Sequence, residues 1–391
     1  MKKLLIDCSL TGGRGPAKKT AEFIWECKRK KINFFLIADK KLSLILRNLG
    51  VIPNKTIDTN YSENPKVIYD KFENVLGKIK FDFLIKFGAR PVGPYFAKKL
   101  NIPYLIVDGG LPDRFESYPS IYDKKTYVKA KKYILTTNFP WKPPVIPFLK
   151  NVEVCYFPIS TRTRQYLSFL KKSSRQNLLK RISKFLTAFP KKYDLIINLC
   201  LTNDYVQAAS RITYGAILTN RQYDQVVGFV RRLIADIGIL LKNKKVVLML
   251  DTQIAKVCFD LFKEYSNIYP VTWKKNWNYF TEITFDAISD ISISRAANYQ
   301  PFIFAMARGN NITTAVPADG YMNEDEAASD AADQGLTYNI LYDDNQYLKK
   351  IINFYQNQKM VKQIARNQEK NFETFGQKNN TLDCIFKTLA I

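Results

Sequence analysis

Short apolar runs alternate with amphipathic stretches along most of the 391 residues, and this alternation constrains the fold more than any other feature. In the first half KKLLIDCS, NFFLIAD, DFLIKFG and IPYLIVDGG read as strands. PAKKTAEFIWECKRKK, KKLSLILRNLG, VIYDKFENVLGKI and PYFAKKLN read as helices between them. Strands apolar on both faces need cover on both faces, which crossover helices of a parallel sheet supply. After Gly110 the chain reads as loop, as far as the proline-rich NFPWKPPVIP at 138–147, which cannot be helix interior. Alternation resumes with the strand YDLIINLC, the helix YDQVVGFVRRLIADIGILLKN, the strand KKVVLML, the helix IAKVCFDLFKEY and the strand DISIS. It continues with the helix QPFIFAMARGN, the strand NITTAVP, the helical EDEAASDAADQG, the strand TYNILY and C-terminal helices. The pattern predicts an α/β protein of two Rossmann-like parallel-sheet domains, 1–160 and 193–391, joined by residues 161–192.

Composition narrows the chemistry. An apolar share of 46% excludes wholesale disorder, and no run of 18 apolar residues predicts a membrane-spanning helix. Asp7 interrupts the apolar start MKKLLIDCSL, so it reads as a first buried strand rather than a signal peptide. None of the six cysteines forms a CxxC pair, so no zinc or thioredoxin-like pattern shows, and small buried thiols in a reducing cytoplasm are expected. There is no histidine, which removes the imidazole base, the Ser-His-Asp triad and the commonest metal ligand. Acid–base work falls to Asp, Glu, Tyr, Lys or the substrate. A net charge of +25 predicts an anionic partner: nucleotide sugar, lipid headgroup, nucleic acid or acidic glycan.

Three motifs carry candidate chemistry. Gly12, Gly13, Arg14 and Gly15, ahead of Pro16, form a glycine-rich turn between the first strand and helix, where free backbone amides can face an anion. FGARPVGPYFAKKLNIPYLIVDGG, from Phe87 to Gly110, runs strand, loop, helix, strand, with Gly93 at the helix start and Asp108 and Gly110 at the last strand's end. Ser294 and Arg295 close the strand DISIS, at a carboxyl end suited to a diphosphate. Asn298 and Gln300 follow, then Ala315-Val316-Pro317, then a helix expected to begin near Glu324, Asp325 and Glu326.

Taken in order, these motifs resemble the enzyme family that adds N-acetylglucosamine to the peptidoglycan lipid precursor, and its UDP-glycosyltransferase relatives of the GT-B fold. The Gly…GlyPro…Ala…Leu-x-IlePro stretch and the Ser-Arg…Val-Pro pair match that family over roughly 330 residues. The resemblance implies two domains facing a cleft, with the glycine turn, Gly93 and Gly110 toward the acceptor. It places Ser294, Arg295, Asn298, Gln300, Pro317, Glu324, Asp325 and Glu326 toward a UDP-linked sugar donor. It implies no metal and no cofactor beyond that donor. Ala296 or Ala297 stands where the family has glycine, Ile303 near its ribose-gripping acid, and Pro16 or Ala17 where it has histidine.

An inverting transfer needs a proton acceptor near the acceptor hydroxyl, and Asp108 and Asp113 in VDGGLPDRF are the candidates. Either also suits a turn-stabilising role, and a retaining mechanism would need no such base. Between Glu153 and Asp194 there is no acidic residue, while 161–192 holds ten basic ones. Leu178, Leu179, Ile182, Phe185, Leu186 and Phe189 recur there at helical spacing, predicting a basic amphipathic helix. Its stripe could pack on a domain or rest on an anionic membrane, bringing a lipid-linked acceptor to a peripheral enzyme on the inner, cytoplasmic face. Nucleic acid is the weaker of the partner readings. An epimerase on the same fold and a non-catalytic binding protein are the rival readings.

Overall fold

The computed structural model of the chain describes residues 3–9, 14–59, 63–77, 79–88, 92–109, 124–142, 149, 151–199, 220–274, 278–295, 311–315, 324–341 and 344–390. The described residues divide into two compact units, one of those up to Gln165 with those from Thr374 onward, the other from Tyr166 to Glu373. Residues 374–390 therefore group with the first unit, not with the second domain to which the sequence pattern assigned them.

The first unit holds seven parallel strands: β1 (Leu4–Cys8), β2 (Phe34–Asp39), β3 (Lys55–Ile57), β4 (Phe83–Phe87), β5 (Tyr104–Asp108), β6 (Lys132–Thr137) and β7 (Val152–Tyr156). Their order is β3-β2-β1-β4-β5-β6-β7, so the winding direction reverses between β1 and β4. Helices α1 (Arg14–Arg29), α2 (Lys40–Asn48), α3 (Pro65–Leu76), α4 (Val92–Lys99) and α5 (Lys124–Val128) fall between strands. Leu5, Leu84 and Ile106 from the sheet pack with Ile68 and Phe72 of α3 and Phe96 of α4. Strands β3 and β6 lie in stretches the sequence pattern left as loop. β3 has three residues, two of them exposed, and gives too short a signal to read.

The edge of β7 is met by the chain's last segment. Tyr156 N donates to Asn379 O at 2.7 Å, Thr381 Oγ1 donates to Tyr156 O at 2.6 Å, and Asn380 Nδ2 donates to Ile159 O at 3.1 Å. The helix Thr381–Leu389 follows and stacks Phe386 on Phe23 of α1, ring centres 5.4 Å apart.

The second unit repeats the plan with six parallel strands: β8 (Leu195–Leu199), β9 (Val246–Met249), β10 (Ile268–Val271), β11 (Ile291–Arg295), β12 (Asn311–Ala315) and β13 (Tyr338–Leu341), in the order β10-β9-β8-β11-β12-β13. Here the reversal falls between β8 and β11. Pro270 hid β10 from the sequence reading; it is tolerated because β10 is an edge strand, where one donor can be spared. The helix Tyr279–Ile288 was missed for the opposite reason. Nine of its ten residues are buried, the polar Thr281, Glu282, Thr284 and Asp286 among them, so its polar residues do not mark a solvent-facing side. Asn278 and Thr281 form its capping box.

The basic segment is not one helix. It forms α6 (Thr161–Lys172) and α7 (Arg175–Ile182), broken at Ser173 and Ser174, with Ser174 capping α7 through Asn177 N. Leu178, Ile182 and Leu186 are buried, and α7 packs on the helix Tyr279–Ile288. Arg175 grips Asp290 with two hydrogen bonds of 2.9 and 2.7 Å, and Arg181 stacks over Phe169 at 5.0 Å. Leu178, Ile182 and Leu186 of the stripe are thus core, Leu179, Phe185 and Phe189 are partly buried, and the basic flank faces solvent. Among the described residues, no helix is long and apolar enough to cross a membrane.

Candidate functional site

Ligands of open parallel sheets bind beyond the strands' carboxyl ends, where the winding reverses. In the first unit that point is lined by charge. Residues Asp7 on β1 and Lys86 on β4 are register partners with fully buried side chains, and Lys86 Nζ lies 3.2 Å from Asp7 Oδ2. A buried pair is tolerable only when its remaining capacity is filled. Asp7 Oδ1 accepts from Ser9 N at 2.9 Å and Ser9 Oγ at 2.6 Å, Asp7 Oδ2 accepts from Gly93 N at 3.0 Å, and Lys86 also donates to Ser9 O. Gly93, a predicted acceptor residue, is buried at the start of α4, and a Cβ there would lie 2.4 Å from Asp7 Oδ2. Its missing side chain is explained by this close approach to Asp7.

One strand further on, β5 ends at Asp108, which is 5% exposed. Its Oδ1 accepts from Gly109 N at 2.7 Å, and its backbone oxygen from Thr136 Oγ1 at 2.9 Å. Its Oδ2 is buried and meets no hydrogen-bond donor among the described residues. Beside it stands Lys19 of α1, 6% exposed. Burial pushes the Asp108 carboxyl above the ordinary aspartate range, against the pull of Lys19, Gly109 N–H and Lys86. Burial also draws the Lys19 ammonium down from 10.5 to about 8, with Asp108 pulling the other way. A carboxylate and an amine, each pushed toward its neutral form, make a proton-exchanging pair.

In the second unit the register pair at the reversal between β8 and β11 is uncharged. Asn198 on β8 and Ser292 on β11 are register partners, and both donate to Asp286 Oδ1 of the buried helix, Ser292 Oγ at 2.6 Å. Ser294 is buried two residues further along, and Arg295 ends β11. The helix Glu324–Asp333 begins at Glu324, Asp325 and Glu326, where the sequence placed its start.

Of the remaining expected site residues, Arg14 opens α1 and Gly15 is its second residue. Gly12, Gly13, Gly110, Asp113, Asn298, Gln300 and Pro317 lie outside the described residues, as do Ala296, Ala297 and Ile303. Sequence reasoning missed Asp7, Lys86 and Lys19. The signal was present for two of them: an acid in LLIDC and an amine in FLIKF sit inside strands where a charge is seldom buried unpaired.

No family model and no curated protein sequence matches the chain. Solved structures do match over its whole length. MurG of Acinetobacter baumannii superposes with a TM-score of 0.54 at 13% identity, covering 94% of this chain and 95% of that one. HepE of Anabaena, solved with UDP and glucose, gives a TM-score of 0.61 at 12% identity and covers 100% of both chains. A UDP-N-acetylglucosamine 2-epimerase gives 0.55 at 12% identity, covering 94% of this chain and 90% of that one. At such identities the likeness speaks for architecture alone: the chain has the GT-B fold, two Rossmann-like α/β units in one polypeptide.

Proposed function

We propose that the protein is a glycosyltransferase that moves a sugar from a nucleoside diphosphate, UDP by preference, to an acceptor hydroxyl. The observation that carries the reading is Asp108. It is a buried carboxylate at a strand's carboxyl end, with a raised pKa and an oxygen that no described donor satisfies. A general base works best when its pKa approaches the working pH. Asp108 Oδ2 would take the proton of the acceptor hydroxyl as the acceptor's own oxygen bonds to the anomeric carbon and the bond from that carbon to the diphosphate breaks. Lys19 would keep the carboxylate charged between turnovers. The end of β11, with Ser294 and Arg295, is the proposed seat of the diphosphate, and the first turn of Glu324–Asp333 that of the sugar. Full-length likeness to several glycosyltransferases supports the assignment.

Incubation with a panel of nucleotide sugars, following release of nucleoside diphosphate and thermal stabilisation, tests it. Asp108→Asn should cut turnover about a hundredfold or more with donor affinity kept. Normal turnover in that variant would remove Asp108 as base.

The second reading is an epimerase, favoured by the epimerases that share the fold. It predicts an isomeric nucleotide sugar without net release of the diphosphate.

We further propose an anionic acceptor, lipid-linked and met at the inner membrane face. The support is the exposed basic flank of α6 and α7, with Lys172, Lys180 and Lys184 exposed. Sedimentation with anionic vesicles at low salt should fade as salt rises, and fall when Lys172, Lys180 and Lys184 become Gln. Indifference to such vesicles would leave the acceptor soluble.

A further inference from the structure

Glu153, Cys155 and Cys384 are far apart or unpatterned in sequence, yet the fold brings one ligand atom of each within 4.8 Å of the others. Glu153 and Cys155 are alternate residues of β7, so their side chains leave the same face. Cys384 is on the helix Thr381–Leu389 that packs over that strand. Both cysteines are buried, at 1% and 7% exposure, while the Glu153 side chain is half-exposed. Lys132, on neighbouring β6, ion-pairs with Glu153 Oε2 and brings its Nζ within 3.8 Å of Cys384 Sγ.

We infer that Glu153, Cys155 and Cys384 bind one thiophilic divalent cation of the zinc type, which clips the C-terminal helix to the edge of the first sheet. The ligand set is two soft sulfurs and a carboxylate, a combination that selects zinc or cadmium over magnesium or calcium. A tetrahedral zinc ion with such ligands needs donor atoms roughly 3.3–3.8 Å apart, which small side-chain rotations supply from the present spacing. The fourth position opens toward the half-exposed side and suits a water. Charge closes as well: two thiolates and a carboxylate balance a dication plus the Lys132 ammonium. Metal binding releases both thiol protons. Lys132 then serves as the outer-shell donor to Glu153 and the Cys384 sulfur, a placement that orients metal ligands. The absence of any CxxC pair hid this site, since its ligands are joined by the fold and not by spacing.

The test uses the whole protein, stripped with chelator under a non-thiol reductant and titrated with Co²⁺ and then Zn²⁺. One equivalent of Co²⁺ should give a thiolate-to-cobalt charge-transfer band with tetrahedral visible absorption, displaced by Zn²⁺. Zinc should also raise the melting temperature and slow amide exchange in residues 381–389. Cys155→Ser and Cys384→Ser should each abolish the charge-transfer spectrum or weaken binding a hundredfold or more, while Cys258→Ser, in the second unit, should bind as before. Glu153→Gln, at a half-exposed position that folding tolerates, should weaken binding tenfold or more while keeping the sulfur band. The inference fails if no charge-transfer band forms, or if both cysteine variants bind like the parent. It fails too if Glu153→Gln leaves affinity unchanged, or if the two thiols are joined in a disulfide under reducing conditions and exclude the ion.

Discussion

Replacing Gly93 by alanine adds one methyl group at the point where α4 touches β1. That Cβ would stand 2.4 Å from Asp7 Oδ2, 2.9 Å from Asp7 Cβ and 3.0 Å from Asp7 Cγ, inside any real contact. Asp7 has nowhere cheap to go. Its two oxygens are held by Ser9, Gly93 N and Lys86, and its side chain is fully buried. Moving it breaks the 3.0 Å bond to Gly93 N and stretches the 3.2 Å ion pair, leaving the Lys86 ammonium buried beside a displaced partner. Breaking a buried pair costs about 3–5 kcal/mol, and overpacking adds about 1–3. Relaxation of α4 recovers part of this, so the expected loss is about 3–5 kcal/mol from the first unit. Gly109→Ala is the control: its Cβ would meet only the flexible end of Lys19, at 3.1 Å, and Thr136 Oγ1 at 3.8 Å, and should cost under about 1 kcal/mol. Urea unfolding followed by hydrogen exchange on peptides from the first unit reads the two separately, avoiding one transition for two units. A loss in Gly93→Ala no larger than in Gly109→Ala would refute the argument that Asp7 is pinned.

Lys19→Met tests the neighbouring pair through pH. The fall of the Lys19 pKa from 10.5 to about 8 means the folded state disfavours the charged amine by about 3 kcal/mol below pH 8, a penalty that vanishes above pH 10.5. Part of that returns because Asp108 loses its cation, so the methionine variant should gain about 1–2 kcal/mol at pH 7 and nothing at pH 11; equal effects at both would contradict it. The same variant bears on catalysis: Asp108 works as the carboxylate, so turnover should rise with pH through its raised pKa, and loss of Lys19 should move that acid limb to higher pH in a pH–rate profile.

The fold was legible where an element's sequence pattern is unmixed. Strands such as LLIDC and FLIKF are apolar on both faces, and α1 and the helix Asn220–Leu240 carry long polar and apolar faces, so their pattern survives in sequence. What stayed hidden has other causes. The helix Tyr279–Ile288 buries its polar residues along with its apolar ones, β10 contains a proline, and β3 is three residues long. The basic stripe left two readings open, and only packing on another helix decided for the core. At the site, Asp108 was visible because it ends an apolar strand beside glycines. Lys19, on a helix with many lysines, was not, because nothing in KKT tells a buried amine from a solvated one.

The assignment of residues 374–390 to the first unit sets an order of events during synthesis. Every residue of the second unit leaves the ribosome before the segment that borders β7, so the second unit can finish folding first. Until that segment emerges, the nascent first unit exposes the backbone of Tyr156 and the rings of Phe23 and Tyr156 that the late segment covers. Such an open strand edge invites pairing with another nascent chain. Production of the protein is therefore expected to depend on a chaperone that shields this edge, more than its finished stability would suggest.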